Sequence, residues 1–349
     1  MAVTKLDIFN HVFPKRFHDR MVAMLPDGRD MNKRVRAIPS IVDLDARFRI
    51  MDAFPDYAQV ICLPQPPIES LGPPRVSNEL ARIGNDGMAE LVSKYPDRFP
   101  AFIAALPMND PGGLLKEAER AVRKLGAVGV QVYSNVNGAP LTAPETMPLF
   151  DLMAEIDLPI WLHPARGADR ADYTTEKKSH YEIWWTLGWP YETSVAMAHI
   201  VFAGLFDRHP GLKIITHHLG GMIPYFEGRV GPGWDQLGTR TSDEDYGVLL
   251  RKLRRRPLDY FRMFYADTAV FGSQPATECG LEFFGADHVL FASDAPFDPE
   301  KGSAYIRWTI EIIDRLDISP EERQAIYEGN ARRLLKLPLR TKERAAAAG

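Results

Sequence analysis

The sequence predicts an α/β protein built as a (β/α)8 TIM barrel, and three observations carry that expectation. Short β-branched or apolar runs recur eight times along the 349 residues, near positions 5, 58, 100, 128, 159, 212, 262 and 288. Most are followed by a stretch of helical periodicity at the spacing of barrel units. Several of the runs, not one, close on a histidine or aspartate, as expected where all strand ends meet at a single face. An open doubly wound sheet is the alternative. Against it, no G-x-G-x-x-G follows the first run, and the polar residues do not gather at one crevice.

Taken in order, residues 5–9 read as the first strand and run into Asn10-His11-Val12-Phe13-Pro14. Residues 15–41 carry Pro26, Asp27-Gly28 and Pro39 among many charges, and read as a lid-like insertion. A helix is expected over 42–53, a strand over 57–63, and then a rigid loop containing Pro64, Pro66, Pro67, Pro73 and Pro74. The pattern over 78–95 is helical, with Asn78 as its cap. Regular alternation follows: strand 99–106, helix 112–124, strand 128–133, helix 145–156, and strand 159–162 ending at His163-Pro164. A polar insertion at 166–180 and the pair Trp184-Trp185 precede a helix over 191–206. The strand at 212–216 delivers His217-His218 into the turn Leu219-Gly220-Gly221, with a helix beginning behind it at 224–230. Strand 262–266 ends at Asp267, helix 274–284 follows, and strand 288–292 ends at Ser293-Asp294. Helices over 304–316 and 320–335 lead to a tail, 340–349, expected to be flexible. Residues 1–349 thus form one domain.

Composition limits the function classes. With 45% hydrophobic and 25% charged residues and a net charge of -4, the chain reads as an enzyme with a large core, and no basic stripe marks nucleic acid as a partner. The absence of a run of about 18 apolar residues argues against a membrane helix. A start without an apolar leader, and two cysteines (Cys62 and Cys279) without a C-x-x-C, point to the reducing cytoplasm.

In a barrel, His11, His163, His217, His218, Asp267 and Asp294 all reach the same mouth. Imidazole and carboxylate are the donors that a borderline divalent cation such as zinc accepts, and three protein ligands with an open position characterise a catalytic site. His18, in the insertion, and His180, in the polar segment, are placed to touch substrate, whereas His199, His209 and His288 read as structural.

The segments Asp7-Ile-Phe-Asn-His11-Val-Phe-Pro14, Ile160-Trp-Leu-His163-Pro164, Trp185-Thr-Leu-Gly-Trp-Pro-Tyr-Glu-Thr193, Phe206-Asp-Arg-His-Pro-Gly-Leu-Lys213, His218-Leu-Gly-Gly-Met-Ile-Pro-Tyr-Phe-Glu-Gly-Arg229, Phe291-Ala-Ser-Asp294-Ala-Pro-Phe297 and Gly329-Asn330-Ala331 make a pattern. It resembles the amidohydrolase-related enzymes of the aminocarboxymuconate-semialdehyde decarboxylase type, from Leu6 to about Leu335. The resemblance implies a metal-dependent barrel with His11, His163 and Asp294 as metal ligands and zinc, or else manganese, as the divalent cation. It implies His218, with Asp294, as the catalytic pair. Arg229 would hold a substrate carboxylate, Trp185 would wall the pocket, and Arg34 or Arg36 would add a second carboxylate-binding arginine. A homodimer is expected, aided by the aromatic segments around Trp184 and Trp234.

One position departs from the family. Its first strand carries His-x-His or Glu-x-His, and here the first of these residues is Phe9. Residues 9 and 11 share a strand face and 10 points away, so Asn10 cannot substitute and Phe9 faces the substrate side. The cation is then expected to be held by three protein ligands, or with His217 or a water in compensation, the alternative being loss of the metal altogether. The expected function is non-oxidative decarboxylation of an aromatic or muconate-like carboxylic acid. The alternatives are a metal-dependent hydrolase of a cyclic ester, lactone or amide, and a degenerate barrel serving as a binding subunit.

Overall fold

The eight barrel strands are β1 (Lys5–His11), β2 (Tyr57–Cys62), β3 (Ala101–Phe102 and Ala104–Ala105), β4 (Val130–Tyr133), β5 (Ile160–His163), β6 (Ile214–Thr216), β7 (Tyr265–Asp267) and β8 (Val289–Leu290). This computed structural model describes residues 4–25, 30–240 and 244–338, so the tail expected at 340–349 lies outside the described residues. All strand pairs around the ring are parallel, in the order β1-β2-β3 and β3-β4-β5-β6-β7-β8. The ring closes between β8 and β1, where Ile8 N–H donates to Phe291 O (3.0 Å), Asp294 N–H to Phe9 O (3.2 Å) and His11 N–H to Ala295 O (2.9 Å).

Two apolar clusters sort the side chains. One takes Leu6, Ile8, Val60, Ile103, Trp161, Ile215 and Leu290 from around the ring, and is joined by Ala331, Leu334 and Leu335 of the last helix. It fills the barrel as a packed core rather than a pore. The larger cluster collects the other strand face, including Ile61, Phe102, Val132, Leu162 and Ile214, with the apolar faces of the surrounding helices. Both strand faces are therefore buried, which is why the strands read as continuous apolar runs rather than alternating ones.

The closing seam depends on Asp7. Its carboxylate, fully buried, accepts from Tyr57 Oη (2.6 Å), Ser293 N (3.0 Å), Phe9 N (3.3 Å) and the Ser293 hydroxyl. Burial pushes its pKa up to about 6 despite these donors. Just beyond it β1 slips register: Asp7 pairs with Gln59 and Asn10 with Ile61, so that Ile8 and Phe9 together oppose Val60. This two-against-one count is a β-bulge, and it resets the alternation so that Phe9 and His11 face the mouth.

Most expected elements appear within a few residues. The helix expected from 78 starts at Pro74 and runs to Lys94, because proline at a first helical position costs no hydrogen bond. Asn78 is accordingly inside that helix, bonding Pro74 O and Asp110 Oδ2 (both 2.7 Å) instead of capping it. The insertion holds two short helices, Lys15–Met24 and Asp30–Arg36. The last helical stretch contains a π turn, Ala325–Gly329.

Because Asp7 collects donors from both sides of the seam, Asp7→Ala leaves them without a partner in a dry site. Urea unfolding should show a loss of about 2–4 kcal/mol. A loss below about 0.5 kcal/mol, the range of neutral surface changes, would mean that the seam does not depend on it.

Candidate active site and metal centre

Four strand ends build the mouth. β1 presents His11, β5 presents His163, the residues after β6 present His217 and His218, and the residues after β8 present Asp294. His11, His163 and Asp294 are buried, and each offers a donor atom within 4.8 Å of the others. His217, His218 and Asp294 form a second such group, so Asp294 belongs to both. Oδ1 of Asp294 lies 2.8 Å from His11 Nε2 and 3.7 Å from His217 Nε2, and Oδ2 lies 4.0 Å from His218 Nε2.

Consecutive residues on a strand point to opposite faces, yet His217 and His218 both enter the mouth. The strand stops at Thr216, and His218 and Leu219 adopt left-handed backbone angles (φ 53° and 48°) that turn the second imidazole back beside the first. The two ring centroids are 3.7 Å apart. Asp294 is left-handed as well, at φ 61°. Such angles cost a non-glycine residue on the order of 1 kcal/mol or more, and they persist where the surroundings over-determine them.

The protonation pattern suits a cation. Burial, reinforced by the neighbouring imidazoles, holds the pKa of His163 well below its usual value, so the ring is neutral. Its Nδ1–H donates to Pro164 O (2.6 Å), which leaves Nε2 as a free lone pair. His218 is held neutral by burial and by the His217 charge. Burial opposes ionisation of Asp294, but the His11 and His217 imidazoles outweigh it and hold the pKa well below the usual range. For His217, burial acts against the charged form, and the carboxylates of Asp267 and Asp294 reverse it, raising the pKa to about 9. Two buried carboxylates thus draw positive charge to this spot. His217 Nε2 itself is buried without a hydrogen-bond partner. An orphaned nitrogen beside an ionised carboxylate and neutral imidazoles fits a divalent cation, with His11, His163 and Asp294 as the group that would hold it.

A cavity of about 260 Å3 opens over this cluster, lined by Arg34, Trp185, Trp189, His218, Phe271 and Tyr305 among others, with Asp294 at its base. That is small for a ligand pocket and matches a single-ring acid. The Arg34 guanidinium stacks over Trp185 (5.1 Å) and Phe297 (5.2 Å), and donates to Phe297 O. Trp185 is anchored by its indole N–H on Glu182 Oε2 (2.8 Å), and Trp189 stands edge-on to His163 at 5.6 Å.

Of the predicted site residues, His11, His163, His218, Asp294 and Trp185 are brought together. Phe9 and Arg229 are not at the cavity. Phe9 is 1% exposed and packs against the imidazoles, its ring 4.8 Å from His11, 5.8 Å from His163 and 4.7 Å from His217. Arg229 is exposed on the helix Glu227–Asp235 and does not line this cavity, whereas Arg34 does. His180 lines a neighbouring depression with Lys33 and Lys178, while His288 stacks on Tyr265 at the start of a strand. Trp184 is buried and Trp234 stacks on Phe261 at 4.8 Å, while Tyr181, Leu187 and Tyr191 of the segment around Trp184 are exposed. The sequence reading missed the pocket roles of Trp189, Phe271 and Tyr305. Trp189 lies inside the quoted Trp185–Thr193 segment, whereas nothing in the sequence marks the other two.

Imidazoles and a shared carboxylate at the C-terminal mouth of a (β/α)8 barrel define a class: barrel enzymes that hold a divalent cation beside the substrate. The chain belongs to the amidohydrolase family, whose model matches residues 39–337. It is 33% identical over 307 residues to a gamma-resorcylate decarboxylase from Rhizobium sp. (strain MTP-10005), covering 84% of this chain and 87% of the relative. Its fold superimposes on a 2,6-dihydroxybenzoate decarboxylase from Rhizobium with a TM-score of 0.77 at 27% identity, over 96% of this chain and 99% of that one. A dihydroxybenzoic acid decarboxylase from Polaromonas sp. JS666, solved with bound manganese and the inhibitor 2-nitroresorcinol, gives a TM-score of 0.76 at 28% identity, over 96% and 98%. No helix among the described residues is long and apolar enough to cross a membrane.

The loop that shoulders His163 through Gln65 also holds Glu69, buried with Oε1 unpartnered. Burial raises its pKa to about 7. The folded chain therefore keeps a proton that the unfolded chain releases near pH 4.5, so this group's contribution to stability falls as pH rises from about 4.5 through about 7. Glu69→Gln removes that dependence. The melting-temperature difference, variant minus wild type, should grow in the variant's favour between pH 5 and pH 8, and a constant difference contradicts the assignment.

Proposed function

We propose that this chain is a non-oxidative decarboxylase of a small aromatic carboxylic acid, with hydroxybenzoates related to gamma-resorcylate as the first candidates. The observation that carries the reading is the joining of one narrow aromatic cavity to a His/Asp cation site, with a neutral histidine, His218, between them.

The reaction replaces a carboxylate by a proton. The bond from ring carbon to carboxyl carbon breaks, carbon dioxide leaves, the electron pair stays on the ring, and a proton takes the vacated position. Trp185, Trp189, Phe271 and Tyr305 sandwich the ring and exclude water. Arg34 meets the carboxylate and orients it, a task that suits a guanidinium already stacked between two aromatic faces. His218, whose Nε2 faces Asp294, moves the proton, and Asp294 partners it. A divalent cation bound by His11, His163 and Asp294 would polarise a substrate oxygen and stabilise the charge that develops as carbon dioxide leaves. We put zinc first for this imidazole-rich set, and manganese second because the Polaromonas relative carries it. The insertion at 15–41 serves as the lid, since it brings Arg34 to the cavity. We further propose a cytoplasmic enzyme that assembles as a homodimer.

Incubation with 2,6-dihydroxybenzoate and a panel of hydroxybenzoates should release carbon dioxide in step with phenol. Accumulation of ring-opened acids from lactone or cyclic amide substrates, without carbon dioxide, would sink the assignment. His218→Ala should lower kcat by about 10²–10⁴-fold with metal content unchanged, whereas His163→Ala should lose both activity and metal. Equal metal loss in the two would reassign His218. Arg34→Ala should raise KM by roughly 10–100-fold, the worth of a charge-assisted hydrogen bond, and an unchanged KM removes Arg34 from the carboxylate site.

A further inference from the structure

At the first-strand position where the resemblance implies a metal ligand stands Phe9, a ring with no lone pair to offer, wedged among His11, His163 and His217. Across the mouth, His217 has the properties of a ligand without a cation. Its side chain is 2% exposed. Its Nδ1–H donates to Asp267 Oδ2 at 2.5 Å, which fixes the ring orientation and turns Nε2 inward. Nε2 has no hydrogen-bond partner and stands 3.7 Å from Asp294 Oδ1. Leaving such a nitrogen unmet in a dry site costs about 1–3 kcal/mol. A carboxylate behind the far nitrogen is the arrangement that orients metal-bound histidines.

We propose that His217 supplies the ligand that Phe9 cannot, so that the cation of this chain is held by His11, His163, His217 and Asp294, one ligand having moved from the first strand to the end of the sixth. Asp267 is then a positioning residue. It also accepts from the backbone N–H of His218 (3.0 Å) and of Ala269 (3.1 Å), so one carboxylate sets both the ligand and the turn that brings His218 beside it. The left-handed backbone of His218 lets two consecutive histidines divide the work, one holding the cation and the other free for the proton. The inference rests on the metal reading above.

The test measures zinc affinity by competition with a chelator, and the visible spectrum of the cobalt(II)-loaded protein, in wild type, His217→Ala, Asp267→Asn, Phe9→His and the Phe9→His/His217→Ala double variant. Melting curves of the metal-free forms verify folding, and His217→Asn replaces the alanine variant if that one does not fold. His217→Ala should bind zinc at least 100-fold more weakly and shift the cobalt bands. Asp267→Asn should weaken binding by about 10–100-fold, as for other residues behind a ligand. The double variant, which returns a ligand to β1, should recover affinity to within about tenfold of wild type. Wild-type affinity and an unshifted cobalt spectrum in a folded His217→Ala protein would overturn the inference while leaving the metal reading standing. A wild-type protein that binds neither zinc nor manganese overturns both, and the wild-type titration alone tells the two failures apart.

Discussion

Two buried carboxylates, Asp267 and Asp294, set the terms for the mouth of this barrel. Each is almost without solvent, and an ionised carboxylate in such a place must be met by hydrogen-bond donors and positive charge. Asp267 is met by His217 and two backbone N–H groups, Asp294 by His11 and, at longer range, His217 and His218. The imidazoles are arranged around these demands, and so is the unusual backbone at His218 and Asp294. The cavity above inherits a floor whose charge is fixed before any substrate arrives, the kind of preorganisation that stabilises charge appearing during reaction.

The remainder of the fold delivers these groups and keeps them dry. The bulge in β1 turns Phe9 and His11 to the mouth, and the Asp7 cluster fastens that strand to the segment carrying Asp294. Phe9, with no lone pair to offer, packs apolar area against three imidazoles. Trp189 packs on the side next to His163, and Arg34 of the helix Asp30–Arg36 lines the cavity. The cavity lining is thus divided between residues at the strand ends and residues on connecting segments, the usual division in barrels.

Much of this was legible in the chain because barrel topology converts strand ends into neighbours. His11, His163, His218 and Asp294 could be placed together from their positions after apolar runs, without knowledge of any distance. Less legible was whatever depends on backbone angles or on loops. Alternation along a strand assigns His217 and His218 to opposite faces, and only the left-handed turn at His218 puts both in the site. Arg229 was selected by motif but is exposed on its helix, whereas of the two insertion arginines the resemblance offered, Arg34 and Arg36, it is Arg34 that lines the pocket, a choice that depends on tertiary packing. The cap expected at Asn78 failed for a simpler reason, since Pro74 had already begun the helix.

Exchange of a ring carboxylate for a proton at this site leaves a label when the reaction is run in heavy water and the product is examined by mass spectrometry and NMR. A decarboxylase should give a phenol carrying one deuterium, at the carbon that bore the carboxylate. A product that keeps its carboxylate and takes up solvent oxygen would contradict it, and would make the same histidines and aspartate the machinery of a hydrolase.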